Sequence, residues 1–108
     1  MAELPALVED LRQAINRGDT DAFLAFFPAD GVVEDWGRRF TGHTAIRGWS
    51  DRELIGAKGT LTILAVLSAT PERVEVLTGW KSSVFTGESK FTFSLAGNKV
   101  RELRISED

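Results

Sequence analysis

From Leu61 to Ile105 apolar side chains recur at every second position, whereas before Pro28 they recur every third or fourth. That change of period constrains the fold more than any other feature of the chain. A period near 3.6 buries one stripe of a helix, and a period of two buries one face of a strand. In the back half, Phe91, Phe93 and Leu95 oppose Lys90, Thr92 and Ser94, the alternation of a half-buried strand. Ahead of them Val74, Val76, Thr78, Trp80, Ser82 and Val84 define one face of a long strand. Leu61, Ile63, Ala65 and Leu67 mark an earlier one, although Leu64 and Val66 make its second face apolar too. Leu103 and Ile105 mark the last. Thr70-Pro71-Glu72-Arg73, Thr86-Gly87-Glu88 and Ala96-Gly97-Asn98 supply the turns.

The front half reads as helices. Leu4, Leu7, Val8, Leu11, Ala14 and Ile15 form one stripe, so residues 4–17 are a helix with Pro5 in its first turn and Gly18 as its stop. Asp19 caps a shorter helix carrying Phe23, Phe26 and Phe27, which Pro28 ends. Residues 31–40 read as a short strand pair turning at Gly37. From about His43, Ala45, Ile46 and Trp49 space out a third amphipathic helix that stops at Gly56-Ala57-Lys58-Gly59. Helices gathered early and strands late, without alternation, predict an α+β fold: three N-terminal-half helices packed on the concave face of a cone-shaped, curved antiparallel sheet. The 108 residues make a single domain, 1–108, long enough to bury roughly 65% of the unfolded surface in one core.

Composition removes several classes of function. Thirteen Lys+Arg against sixteen Asp+Glu give a net charge of −3, and the cations are scattered, which argues against nucleic acid or an anionic membrane as a partner. The absence of cysteine excludes disulfides and thiol chemistry, and one histidine is a poor basis for a metal site, so no metal or cofactor is expected. No apolar run approaches the roughly 18 residues of a membrane span, and the amphipathic start of the chain makes a cytoplasmic location the default.

The stretch from Ala29 to Trp49 carries the candidate chemistry. Asp35 lies between Glu34 and Trp36 in otherwise apolar, extended surroundings. It is either a general base for a carbon acid, a role that burial of a carboxylate favours, or a structural carboxylate bonding backbone donors or pairing with Arg38 or Arg39. His43 is the chain's one side chain of the type suited to proton transfer at physiological pH, and it is either a second proton-transfer group or an exposed first-turn residue. Trp36, Trp49 and Trp80 each offer a large apolar body with one N–H donor, to line a pocket or to fill the core. Lys81, Ser82 and Ser83 are polar pocket contacts or the wet outer face of the sheet.

Three runs carry a resemblance. Asn16-Arg17-Gly18-Asp19-Thr20-Asp21-Ala22-Phe23, Phe26-Phe27-Pro28-Ala29-Asp30-Gly31-Val32-Val33-Glu34-Asp35 and Gly42-His43-Thr44-Ala45-Ile46-Arg47 resemble the SnoaL-like domains of the nuclear transport factor 2-like superfamily, which includes the ketosteroid isomerases. That fold hosts isomerases, cyclases, hydrolases, dehydratases and binding modules. The resemblance puts Asp35 at the isomerase base, which in those enzymes works with an oxyanion hole of a Tyr and a protonated Asp. Here the tyrosine position falls on Leu11, the aspartate position near Ser89 or Lys90, and Glu88 in a turn. Steroid isomerisation of the usual type is therefore not expected.

Together, residues and resemblance predict a small apolar-molecule pocket with Asp35 and His43 as candidate catalytic groups. Leu11, Ile15, Trp36, Ile46, Trp49, Trp80 and Phe91 are its candidate lining. Two functions fit it: a cofactor-independent isomerase, cyclase or dehydratase, or a ligand-binding or dimerisation module without turnover. The resemblance also implies a homodimer through the outer sheet face.

Overall fold

The computed structural model describes residues 3–83 and 85–107; Val84 lies outside them. Helix α1 is Ala6–Asn16, with Val8, Leu11, Ala14 and Ile15 as its buried stripe. Helix α2 is Thr20–Ala25, and the Asp19 carboxylate caps it by accepting from the Ala22 N–H at 3.1 Å. Strands β1 (Val32–Asp35) and β2 (Arg38–Thr41) form the short pair, followed by α3 (His43–Glu53) and one turn of 3-10 helix at Ile55–Ala57. Then come β3 (Thr60–Ala69), β4 (Arg73–Lys81), β5 (Thr86–Ala96) and β6 (Lys99–Ser106).

All six strands join one curved, unclosed sheet in the order β2-β1-β6-β5-β4-β3. The four long strands are antiparallel neighbours. β1 pairs with β6 in parallel, Val33 beside Leu103 and Asp35 beside Ile105. The alternation alone cannot show this, because β1 reaches β6 across the helical layer and not through a hairpin. Register shifts in β3, between Ile63 and Ala65 and between Val66 and Ser68, mark bulges, which bend a strand and increase its twist.

Some boundaries differ from the sequence expectation: α1 is shorter than 4–17, α2 stops at Ala25 so that Phe26 and Phe27 follow it, and the end of β4 moves furthest. β4 ends at Lys81, and Thr86, Gly87 and Glu88 already belong to β5, paired with Lys81, Trp80 and Gly79. The turn is earlier, at Ser82–Phe85, where the Ser82 Oγ accepts from the Phe85 N–H at 3.1 Å and the Ser82 N–H donates to the Phe85 carbonyl at 3.0 Å. A serine hydroxyl bonding nearby backbone competes with the ladder, and no change in the apolar period announces it.

The core lies between the helices and the face of the sheet carrying Val74, Val76, Phe91, Phe93, Leu103 and Ile105. Phe23 and Phe27 from the front half are fully buried, their rings edge to face at 5.3 Å. Each such side chain contributes roughly 1.5–3 kcal/mol by leaving water. Asn16 ties the end of α1 to the edge strand: its Nδ2–H donates to the Leu61 carbonyl at 2.9 Å and its Oδ1 accepts from the Leu61 N–H at 2.7 Å. Among the described residues no helix is long and apolar enough to cross a membrane.

Candidate functional site

Asp35 ends β1 where the hairpin turns. The two turn residues, Trp36 and Gly37, both have positive φ, 52° and 85°, as a two-residue primed turn requires. Glycine takes that backbone freely, whereas for a bulky residue it is an outlier of the kind that clusters at ligand sites. The turn places Asp35 opposite Arg38 across the hairpin. It also leaves the Trp36 indole on the surface, 56% exposed.

Asp35 is buried, with 8% of the residue exposed. Its Oδ2 accepts from Arg38 Nη2 at 2.6 Å and from the buried Trp49 Nε1–H at 2.9 Å. Arg38 also donates to Glu53, with Nη1 at 2.9 Å and Nη2 at 2.6 Å from its two oxygens, and its Nε–H reaches the Asp35 carbonyl at 3.4 Å. The hydrogen bond from Glu53, then that from Asp35, raises the Arg38 pKa above the usual guanidinium value. The bond from Arg38 lowers the Glu53 pKa below the usual carboxylate range. One arginine thus joins two carboxylates, and β1, β2 and α3 meet at it. Among the described residues Asp35 Oδ1 takes no hydrogen bond, and it is not sealed from solvent, since no side-chain polar atom among them is both buried and unpartnered.

This cluster forms one wall of a cavity of about 330 Å3. Trp49, Leu54, Ala57, Trp80, Phe91 and Ile105 give it apolar walls, and Asp35, Arg38, Arg52, Glu53, Ser82 and Ser89 its polar groups. Trp36 and Phe85, 60% exposed, stand at the rim. Gly59 packs so closely on the Trp80 ring that a Cβ there would collide with it.

Of the sequence candidates, Asp35, Trp36, Trp49, Trp80 and Phe91 come together at this cavity. Leu11, Ile15 and Ile46 do not line it; they are at most 2% exposed, in the core between the helices and the sheet. The inner stripe of a helix packs against the sheet along its whole length, and only the open end of the layer leaves space. His43 is exposed at the start of α3, where its Nε2 lies 2.9 Å from the Phe27 carbonyl, and it is not among the cavity residues. Ser89, one of the positions matching the isomerase aspartate, does line the cavity, but its hydroxyl lies 3.4 Å from that of Thr78. Sequence reading missed Arg52, Glu53 and Phe85. For the first two a signal existed, since they sit three and four positions beyond Trp49 on the same helix and therefore on its side of it. Among the described residues no cluster of three His, Asp or Glu side chains is placed to hold a metal ion.

No protein-family model matches the chain, and no curated protein does. Solved structures match it closely in shape. A proposed polyketide cyclase from Sinorhizobium meliloti is 24% identical, with a TM-score of 0.82 over 95% of both chains. A Mycobacterium tuberculosis protein crystallised with estradiol-17β-hemisuccinate is 18% identical, with a TM-score of 0.82 over 94% of this chain and 91% of that one. The epoxide hydrolase/cyclase-like enzyme SalBIII, studied for pyran ring formation in the polyether salinomycin, is 18% identical, with a TM-score of 0.83 over 93% and 86%. At these identities the likeness shows the fold, which is the SnoaL-like, nuclear transport factor 2-like one.

Proposed function

We propose that the cavity binds a small, largely apolar carbonyl compound and that Asp35 acts on it as a general base in a cofactor-independent isomerisation, cyclisation or dehydration. One observation carries the reading. Asp35 has one oxygen fixed by Arg38 and Trp49 and the other unbonded, in a residue that lines the cavity. A base must be held in place and still have a lone pair within reach of the substrate proton, and this arrangement meets both needs. The apolar walls suit a hydrophobic body, and the volume falls at the lower end of the roughly 300–1,000 Å3 usual for small-molecule sites. The fold neighbours' association with a steroid ester and with cyclisation supports the same class of ligand.

The second reading, binding without turnover, is favoured by the chain's lack of tyrosine and by the commitment of Arg38 to two carboxylates. Losing an oxyanion donor costs about 3–4 kcal/mol of transition-state stabilisation where it has been measured. Proton–deuterium exchange into aryl ketones, followed by NMR, separates the two. Under the catalytic reading Asp35→Asn should slow exchange by about 10²-fold or more while tryptophan quenching by the ketone persists. Exchange unaffected by the substitution would sink Asp35 as the base, and quenching with no exchange in the unaltered protein would leave a binding module. We place a second copy on the outer sheet face, where Leu64 lies exposed over Gly79; sedimentation as a monomer at high concentration would remove that part.

A further inference from the structure

The cavity's two arginines differ in one respect. Arg38 is held between two carboxylates, Asp35 and Glu53. Arg52, in the last turn of α3, lines the same cavity and makes no hydrogen bond or salt bridge among the described residues, although its charge reaches Glu53 through space and lowers that group's pKa. The residue is exposed, and its guanidinium folds back over its own helix. Nη1 lies back along the helix, 3.3 Å from where a Cβ on Gly48 would sit. Glycine inside a helix costs about 1 kcal/mol relative to alanine, and here its bare face is the surface on which the guanidinium rests.

From this we infer that Arg52 receives a carboxylate, so that the natural ligand is an amphipathic acid whose apolar body fills the Trp80–Phe91 end of the cavity and whose anionic end stays at the mouth. The inference rests on the pocket reading above and specifies its ligand class. A guanidinium presents paired donors that match a carboxylate edge, and those of Arg52 are uncommitted. The charge count favours a single negative charge over a phosphate dianion. Asp35 and Glu53 against Arg38 and Arg52 leave the lining with no net charge, so a bound carboxylate leaves it at one negative charge and a dianion at two. A carboxylate edge needs only the paired donors of Arg52, whereas a dianion would set a second negative charge beside Asp35 and Glu53 with no further cation in the cavity lining.

The test compares two probes of the same shape, naphthylacetate and naphthylacetamide, titrated into the full chain with tryptophan fluorescence as the readout. Low salt is used, because the pairing is partly exposed and is screened as salt rises. The acid should bind about tenfold more tightly than the amide, a gap of about 1.4 kcal/mol, and the gap should shrink at high salt. In Arg52→Gln the affinity ratio should fall to about one, and in Arg52→Lys it should be partly kept. Equal binding of acid and amide by the unaltered protein, or a ratio unchanged in Arg52→Gln, overturns the inference and leaves the apolar pocket standing. A ratio lost in Arg38→Gln but kept in Arg52→Gln overturns it as well, by assigning the anion to the other arginine. Binding of neither probe overturns this inference together with the pocket reading. Far-UV circular dichroism of each variant confirms that the ratio is read on folded protein.

Discussion

Replacing Trp49 by phenylalanine tests the geometry of the Asp35 site most directly. Trp49 is 1% exposed and its Nε1–H donates to Asp35 Oδ2 at 2.9 Å. A hydrogen bond to an ionised group is worth about 1.5–3 kcal/mol net. Because Oδ2 keeps the Arg38 donor at 2.6 Å, no buried acceptor is orphaned, and the lower end, about 1.5 kcal/mol, applies. Phenylalanine also removes one ring of the indole beside Phe40, whose ring centroid is 6.1 Å away. A void there costs about 24 cal/mol per Å3 if it stays empty, but it borders the cavity and can fill, so about 1 kcal/mol is expected. The sum, about 2.5 kcal/mol, corresponds to a Tm lower by roughly 10 °C. Urea unfolding followed by far-UV circular dichroism gives the total, and a double-mutant cycle with Asp35→Ala isolates the hydrogen bond. In that cycle Arg38 keeps Glu53, so the coupling reports chiefly on the Trp49–Asp35 contact. A coupling near 1.5 kcal/mol is expected, and a value below about 0.3 kcal/mol, the level of independent sites, would refute the claim that Trp49 holds Asp35.

Two further outcomes are expected. Glu9 accepts from Arg12 at 2.8 and 2.6 Å and from Gln13 at 2.9 Å, and the bonds from Arg12 first, then Gln13, hold its pKa down to about 2 from the ordinary 4.5. A folded value below the unfolded one gives stability that is fully present above about pH 4.5 and fades towards pH 2. For a partly exposed pair it amounts to about 0.3–1 kcal/mol, and urea midpoints of Arg12→Met should lack that pH-dependent part; an unchanged acid slope would contradict it. Gly59→Ala should push the Trp80 ring out of place and press on the Lys81 carbonyl, 2.8 Å from the new Cβ. That should cost about 1–3 kcal/mol and change the near-ultraviolet dichroism and ligand quenching together; an unchanged tryptophan signal would show that Trp80 is not held by Gly59.

The fold was legible where the apolar period is regular. Phe91, Phe93 and Leu95 alternating with Lys90, Thr92 and Ser94 marked β5 as a strand, although Thr92 is itself buried, and the stripe through Val8, Leu11 and Ile15 marked the buried side of α1. It was not legible where structure turns on a local hydrogen bond or on the packing of remote segments. The Ser82 hydroxyl ends β4 without any break in apolar period, and the parallel seat of β1 on β6 joins segments about 70 residues apart in the chain.

The site divides along the same line. A two-residue turn at Trp36-Gly37 sets Asp35 opposite Arg38, so their pairing could be read from the hairpin alone. Trp49 and Glu53 lie on a separate helix, 14 residues beyond Asp35 and 15 beyond Arg38 respectively, and only the docking of α3 brings them to the carboxylate and its arginine. From the sequence, a working base and a structural carboxylate stood as alternatives for Asp35. They are alternatives only if both oxygens share one fate. Here Oδ2 carries the structural contacts that join hairpin to helix, and Oδ1 carries none. Weakening the contacts at Oδ2 should therefore harm any chemistry at Oδ1 as well, because an untethered carboxylate swings both oxygens. On that argument Trp49→Phe should slow proton exchange as well as lower stability, whereas a carboxylate with a purely structural role would show the stability loss alone.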